Sequence, residues 1–436
     1  MAAGREQSTC IAIFFCLALV YFGITVINKR KRTLLLPPGP TRLPLLGNIH
    51  QVPFQYQYYT FTQWAREYGE IVYTRFFQQD VVIVNTLRVA QELMEKRGII
   101  YSDRPRFVVL AEVRLFHPNY GLMPYGDEWR RQRKWAQTTF QARGTLETYR
   151  PLQQREVRSM LSSLIQAPEN FAKHINRYVA GTSMEAALDL GRVGSSLADF
   201  FPIFQHIPCW MPGAGFKREA LRLRRAVEEV TNMPFEHVKT AMSSGTAKTS
   251  FVRRILEETS ELATNAEDER RIKASAAMMH AAGMNTMPAV MISFILAMVV
   301  HPDVYRKAQV EMDAVVGRSR LPNLDDRLAL PYLECVLKEV YRWCCPVPLG
   351  APHAILIDDQ YHNYLIPGKS TVIPNIWAMS RDPEIYTEAD VFDPDRFSHS
   401  LPDTDDLTDP RKYIFGLGRR YESFVGLMYL HFLTAR

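Results

Sequence analysis

Several signatures of well-known chemistries are missing from this 436-residue chain. It has no H-E-x-x-H zinc helix and no G-x-S-x-G nucleophile turn. "PGKS" at Pro367–Ser370 lacks the upstream glycine of a phosphate loop and leads into an extended stretch. Cysteine is sparse. Cys10, Cys16, Cys209, Cys335, Cys344 and Cys345 form no C-x-x-C, which argues against a zinc site or a disulfide framework and for a reducing compartment. Charge of one sign is scarce as well. Net charge is +6, and Lys29, Arg30, Lys31 and Arg32 hold much of it in one run, so no nucleic-acid partner is indicated. With 47% hydrophobic and 22% charged residues the composition excludes global disorder, and no repeat or low-complexity segment interrupts it.

What is present starts with an uncharged run, Thr9–Ile27, "TCIAIFFCLALVYFGITVI". As a helix it spans about 28 Å, enough for a hydrocarbon core. Its basic residues follow the run, unlike those of a cleaved signal peptide, and they place the bulk of the chain on the cytosolic side. The expectation is a short tail over residues 1–8 and a retained anchor over residues 9–28. Residues 29–40, basic and then proline-rich, form a stiff hinge or a plain entry linker.

Further on, residues 54–68 predict an amphipathic helix, and Glu70–Asn85 predicts a hairpin around Gln78-Gln79-Asp80. From Leu87 the pattern is mostly helical, with proline-rich breaks near Arg104 and over Pro202–Gly215, and Lys369–Met379 reads as a strand. Ala274–Pro302 contains no Asp, Glu, Lys or Arg, so it is either a second membrane span or a core helix. The polar interruption at His280, Asn285 and Thr286 favours the core. The sum is a mainly α single large domain with a small β region, over residues 41–421.

Four constellations carry chemistry. In "AAGMNTMPAV" (Ala281–Val290), Gly283 weakens the helix and Pro288 supplies no N–H to the carbonyl of Met284. Asn285 and Thr286 then stand beside either a proton-delivery notch or a harmless kink. "LKEVYR" sets Glu339 and Arg342 at i and i+3, an ordinary surface pair unless Arg396 of "FDPDRF" joins them around one buried carboxylate. "YGDEWRRQRKW" places Trp129, Arg130 and Arg133 at one-turn spacing, as an anion-binding edge or a solvated basic face. Finally, "FGLGRR" (Phe415–Arg420) combines two glycines with Arg420 in a loop able to hold a charged group closely.

Taken together and in this order, "PPGP", "WRRQR", "AGMNTM", "KEVYR", "FDPDRF" and "FGLGRR" resemble the motifs of a membrane-anchored eukaryotic cytochrome P450, a haem-thiolate monooxygenase. "CWMPGAGFKR" (Cys209–Arg218) and "SFILAMVVHP" (Ser293–Pro302) are similar to fungal members in particular. The resemblance covers Leu34–Tyr421 and implies the cytochrome P450 fold with haem b as cofactor. It also implies electrons from NADPH through NADPH-cytochrome P450 reductase, and a small apolar organic substrate. Its single-pass anchor would sit in endoplasmic reticulum lipid, with the catalytic domain cytosolic.

By the same resemblance, Trp129, Arg133, Arg420 and His353 meet the haem propionates, within a binding loop that includes Phe415 and Gly418. Thr286, with Asn285 where an acid is usual, delivers protons. Glu339, Arg342 and Arg396 form a structural triad. The family's loop reads F-G-x-G-x-R-x-C-x-G, and aligned on Phe415 the axial cysteine position is Glu422. Residues 422–436 form a tail unlike the family's continuation, and Phe171–Asp199 is short for the family. The expected C-terminal end is therefore incomplete, with dioxygen activation impaired. The alternatives are a non-catalytic, membrane-tethered pseudoenzyme or truncated isoform that binds a ligand or partner, or substitute ligation by Glu422, Tyr421 or His431. Pocket walls are expected in Tyr101–Tyr125, Phe200–Gly215 and Ala281–Met291.

Overall fold

A computed structural model describes residues 35–109, 119–140, 145–180, 197–248, 250–260, 265–398 and 408–420. The expected anchor over 9–28, the tail over 422–436 and the Glu422 position lie outside the described residues, as do residues 181–196 of the segment expected to be short.

The proline-rich entry lies along the first strand. Pro38 accepts a hydrogen bond from the Tyr73 N–H at 2.9 Å, and the Arg75 N–H donates to the Asn48 side chain at 3.1 Å. Gly39 is required here, because a Cβ would sit inside the Tyr73 carbonyl. Helix α1 (Gln57–Tyr68) stops at Gly69, whose φ of 102° suits only glycine, and it buries Phe61 and Trp64 against the sheet. Strands β1 (Ile71–Phe76) and β2 (Gln79–Val84) pair antiparallel with Phe76 opposite Gln79. The turn is therefore Phe77-Gln78, earlier than the polar trio suggested. Phe77 takes φ 54° and packs its ring 5.4 Å from Phe200 and 5.0 Å from Phe201, so tertiary packing overrode the local turn preference.

The helical body comprises α2 (Asp127–Phe140), α3 (Thr145–Gln166), α4 (Phe171–Ala180), α5 (Gly215–Ser243), α6 (Phe251–Ser260) and α7 (Ala266–Val300). Asn265 caps α7 by accepting from the Asp268 N–H at 2.8 Å, and Glu267, Asp268 and Glu269 complement the positive end of the helix. The helix stops before Pro302, which opens α8 (Pro302–Val315). Met287, Val290 and Met291 of α7 are buried with Val157 of α3, Tyr178 of α4 and Val336 and Val340 of α9 (Pro331–Cys344). Each such side chain contributes about 1.5–3 kcal/mol when fully buried. Core packing thus accounts for the uncharged stretch. Among the described residues no single helix is long and apolar enough to cross a membrane. One bent pair, Thr286–Val300 with Pro302–Val315 at 106°, passes on length and composition.

Four short strands complete the sheets: β3 (His353–Ala354), β4 (Asp359–Tyr361), β5 (Tyr364–Ile366) and β6 (Thr371–Pro374). The larger sheet has the order β1-β2-β6-β3, with β6 parallel to β2 and antiparallel to β3. The strand expected over Lys369–Met379 ends at Pro374. The Asn375 side chain accepts from the Ala378 N–H at 3.3 Å and starts a short helix, Ile376–Met379.

Candidate cofactor and active site

Helix α9 brings one constellation together. Glu339 and Arg342 are both 0% exposed. Arg342 donates Nε and Nη2 to the two Glu339 oxygens at 2.7 Å each, and Nη1 to the carbonyls of Ser380 and Ala389 at 2.9 and 2.6 Å. Arg396 adds Nε to Glu339 at 3.3 Å, and the Asp393 N–H donates to the same oxygen at 2.9 Å. The short 3₁₀ turn Pro394–Phe397, started by Asp393, aims Arg396 at this carboxylate. The loop is thereby locked to the helix by bidentate and charge-assisted bonds. Phe392 of the same loop packs among the α7 and α9 apolar side chains.

A second constellation forms where five segments meet. Arg420 is 5% exposed and donates to the carbonyls of Ser102, Tyr120 and Met123 at 2.7, 3.0 and 2.8 Å. The Trp129 indole N–H donates to the Tyr120 carbonyl at 2.9 Å, and the Arg420 guanidinium lies 5.0 Å from the Trp129 ring centre. Arg133, one turn on from Trp129, is buried on the same face of α2, whereas Arg130 is half-exposed and pairs with Asp127. His353 lies within 2.8 Å of the Tyr101 carbonyl through Nδ1, which requires the ring nitrogen to donate. Burial first, and then the Arg104 and Arg420 cations, hold its pKa well below the ordinary histidine value.

The loop that carries Arg420 is shaped by glycine. Gly416 and Gly418 have φ of 105° and 59°, and a Cβ on Gly418 would overlap the Met94 carbonyl. Phe415 packs 5.4 Å from Tyr341, in the apolar cluster that also holds Met287 and Met291 of α7. The loop therefore runs from under α7 and α9 to the arginine cluster. Thr286 is half-buried on α7 beside Met287, and the helix continues through Gly283 and Pro288 without interruption. Among the described residues a Cβ on Gly283 would meet nothing within 4 Å, so there is open space beside it. The side chain of Asn285 lies outside what the structure describes.

Sequence reasoning missed Arg104. It is 9% exposed and donates to the carbonyls of Gly121, Ala351 and Pro352 at 3.0, 2.7 and 2.7 Å, tying together the segments that carry Tyr120 and His353. The available signal was an arginine immediately before a proline in "SDRPR", inside a break already recognised. Ser102 was missed too. Its carbonyl serves Arg420, while its hydroxyl is buried with no hydrogen-bond partner among the described residues.

Buried guanidiniums and a hydroxyl without a partner among the described residues fit the carboxylate edge of a haem, whereas the neutral imidazole, its Nδ1–H already given to Tyr101, would do so only on gaining a proton at Nε2. The iron side does not fit in the same way. No sulfur stands in Phe415–Arg420 or at position 422. Cys345 belongs to the apolar cluster with Tyr413 and Met379, where burial pushes its thiol up to about 12. Cys344 accepts from the Ser293 hydroxyl at 3.1 Å.

Comparison with known proteins shows the family that the motifs resemble. The model of the cytochrome P450 family matches residues 37–190 and 182–421. The chain is 44% identical to cytochrome P450 monooxygenase 176 of Postia placenta, over 96% of this chain and 85% of that protein. It is 43% identical to monooxygenase 136 of the same fungus, over 93% and 80% of the two chains. Against cytochrome P450 monooxygenase claR of Ampulloclitocybe clavipes it is 36% identical, over 93% and 78%.

Proposed function

The chain belongs to the cytochrome P450 family of monooxygenases, and from that premise we propose that it keeps the haem seat but is impaired in dioxygen activation, because Glu422 stands at the axial cysteine position. The single observation that carries this reading is the placement of Arg420. Its three carbonyl bonds fix the end of the loop, and the residue two positions on is a glutamate. In this reading Arg133, Arg104 and Arg420 would hold the carboxylate edge of haem b, Trp129 would brace that edge through its bond to the Tyr120 carbonyl, and His353 would join on taking up a proton at Nε2. Phe415 and Gly418 set the course of the loop. Thr286 and Asn285 hold a proton-conducting position beside the open space at Gly283. The Glu339–Arg342–Arg396 network keeps the loop before the haem seat in register.

Bound haem supplies the oxidising chemistry of the family, hydroxylation of a small apolar organic molecule with electrons from NADPH through the reductase. A thiolate donates electron density that favours O–O cleavage, and a carboxylate is a harder, poorer donor for that purpose. Residues 9–28 would tether the cytosolic domain to endoplasmic reticulum lipid. The same glutamate supports a second reading, a membrane-tethered pseudoenzyme that binds a ligand or partner without turnover.

The test is the ferrous–CO difference spectrum of membranes carrying the full chain, measured beside Glu422→Cys. The expected result is no thiolate-type Soret band for the parent and such a band for the variant. A full thiolate band from the parent would overturn the assignment of position 422. Absence of haem from both proteins would favour the second reading.

A further inference from the structure

We infer that the cleft between α5 and α7 is a second small-molecule site, suited to a neutral, largely apolar molecule carrying one hydroxyl group. The two helices are clamped by two crossed ion pairs, Lys239–Glu269 at 2.7 Å and Lys273–Glu236 at 2.9 Å. Alongside the clamp lies a cleft of about 340 Å³, at the lower end of the usual range for ligand sites. It exists because α7 presents Ala266, Ala274 and Ala277 to α5, where interlocking helices normally fill the groove with larger side chains.

The chemistry of the lining selects the ligand. Val227 and Ala277 are 3% and 5% exposed and supply an apolar floor. Glu228, Glu269, Arg270 and Lys273 border it as two acids and two bases. All four are engaged: Glu228 by Arg224 at 3.0 Å, Arg270 by Glu267 at 2.7 Å, and the others in the clamp. An ionic ligand would have to compete with these partly exposed pairs for a counter-charge. A neutral one needs none. The Thr231 hydroxyl donates to the Val227 carbonyl at 2.6 Å, so its oxygen is left to accept, and exposed Asn232 offers an amide donor and acceptor at the lip. One hydroxyl on the ligand satisfies these groups.

The cleft is separate from the arginine cluster. On a different face of α7, buried Ser275 donates to Gln132 of α2 at 2.9 Å, and Gly121 packs tightly on Met278. The inference also does not depend on Glu422.

The experiment uses the purified full chain in detergent, with 1-naphthol as the probe and its fluorescence as the readout. Three variants are compared with the parent: Ala274→Phe fills the cleft, Asn232→Trp covers it from an exposed position, and Gly283→Phe fills the open space beside Thr286. The parent should bind the probe, and Gly283→Phe should retain it. Ala274→Phe and Asn232→Trp should each weaken binding by at least roughly tenfold. Should circular dichroism show Ala274→Phe unfolded, Asn232→Trp decides alone. No binding by the parent, unchanged affinity in the cleft variants, or loss in Gly283→Phe overturns the site. None of these outcomes alters the Soret test.

Discussion

The network around Glu339 and the one around Arg420 are both buried and both built on arginine, yet they are completed differently. Around Glu339 the chain supplies its own carboxylate, which holds two guanidiniums and a main-chain N–H while main-chain carbonyls take further arginine donors. Around Arg420 and Arg104 the described bonds run to main-chain carbonyls, and the field of both cations reaches His353. A self-closed network stabilises a fold. A cationic one anchored on dipoles is suited to an anion from outside the chain. The lesson is that burial of an arginine alone does not tell which role it has; the partners do.

That contrast breaks hardest at Glu339. Glu339→Ala leaves the Arg342 guanidinium buried without its carboxylate and should cost about 3–5 kcal/mol, seen as a collapse of soluble, two-state unfolding protein in a denaturant titration. Removing haem from the medium should not change that loss. Arg420→Ala should show the opposite pattern. It releases three carbonyls at about 1–3 kcal/mol of stability, but the haem-to-protein ratio should fall more than the melting temperature does. Arg420→Lys should recover only part of the ratio, because an ammonium cannot reproduce the planar fork.

A pH series sharpens the comparison. His353 titrates lower in the folded chain than in the unfolded one. Below about pH 6.5 the unfolded chain therefore takes up a proton that the folded chain refuses, and stability falls as pH drops. The slope should approach about 1.4 kcal/mol per pH unit at most, and His353→Gln should flatten it in melting curves taken between about pH 7 and 5. The smallest effect is expected at Trp129→Phe, which keeps the ring but loses the bond to Tyr120 at about 1 kcal/mol. A loss as large as that of Glu339→Ala would show that the cluster, too, is needed for folding.

Much of this was legible beforehand. The uncharged stretch of α7, the i and i+3 pair on α9 and the glycine loop at Phe415–Arg420 all carry local patterns, and each lies where its pattern implied. Arg104 was not legible, because an arginine before a proline has the same local appearance whether it faces water or three carbonyls. The Phe77 turn and the early end of β6 were misjudged by a few residues. Ring packing on Phe200 and Phe201 and the Asn375 cap outweighed the local preference there.

By itself the sequence determined the family motifs, the order in which they occur and the carboxylate at position 422, since these are matters of which side chains exist. Only the tertiary structure decided which donors meet which acceptors. Arg420 bonds to a carbonyl 318 residues upstream, and Arg342 to one 49 residues downstream. Such pairings are selected by the cost of burying an unsatisfied polar group, which arises only once distant segments have closed around it.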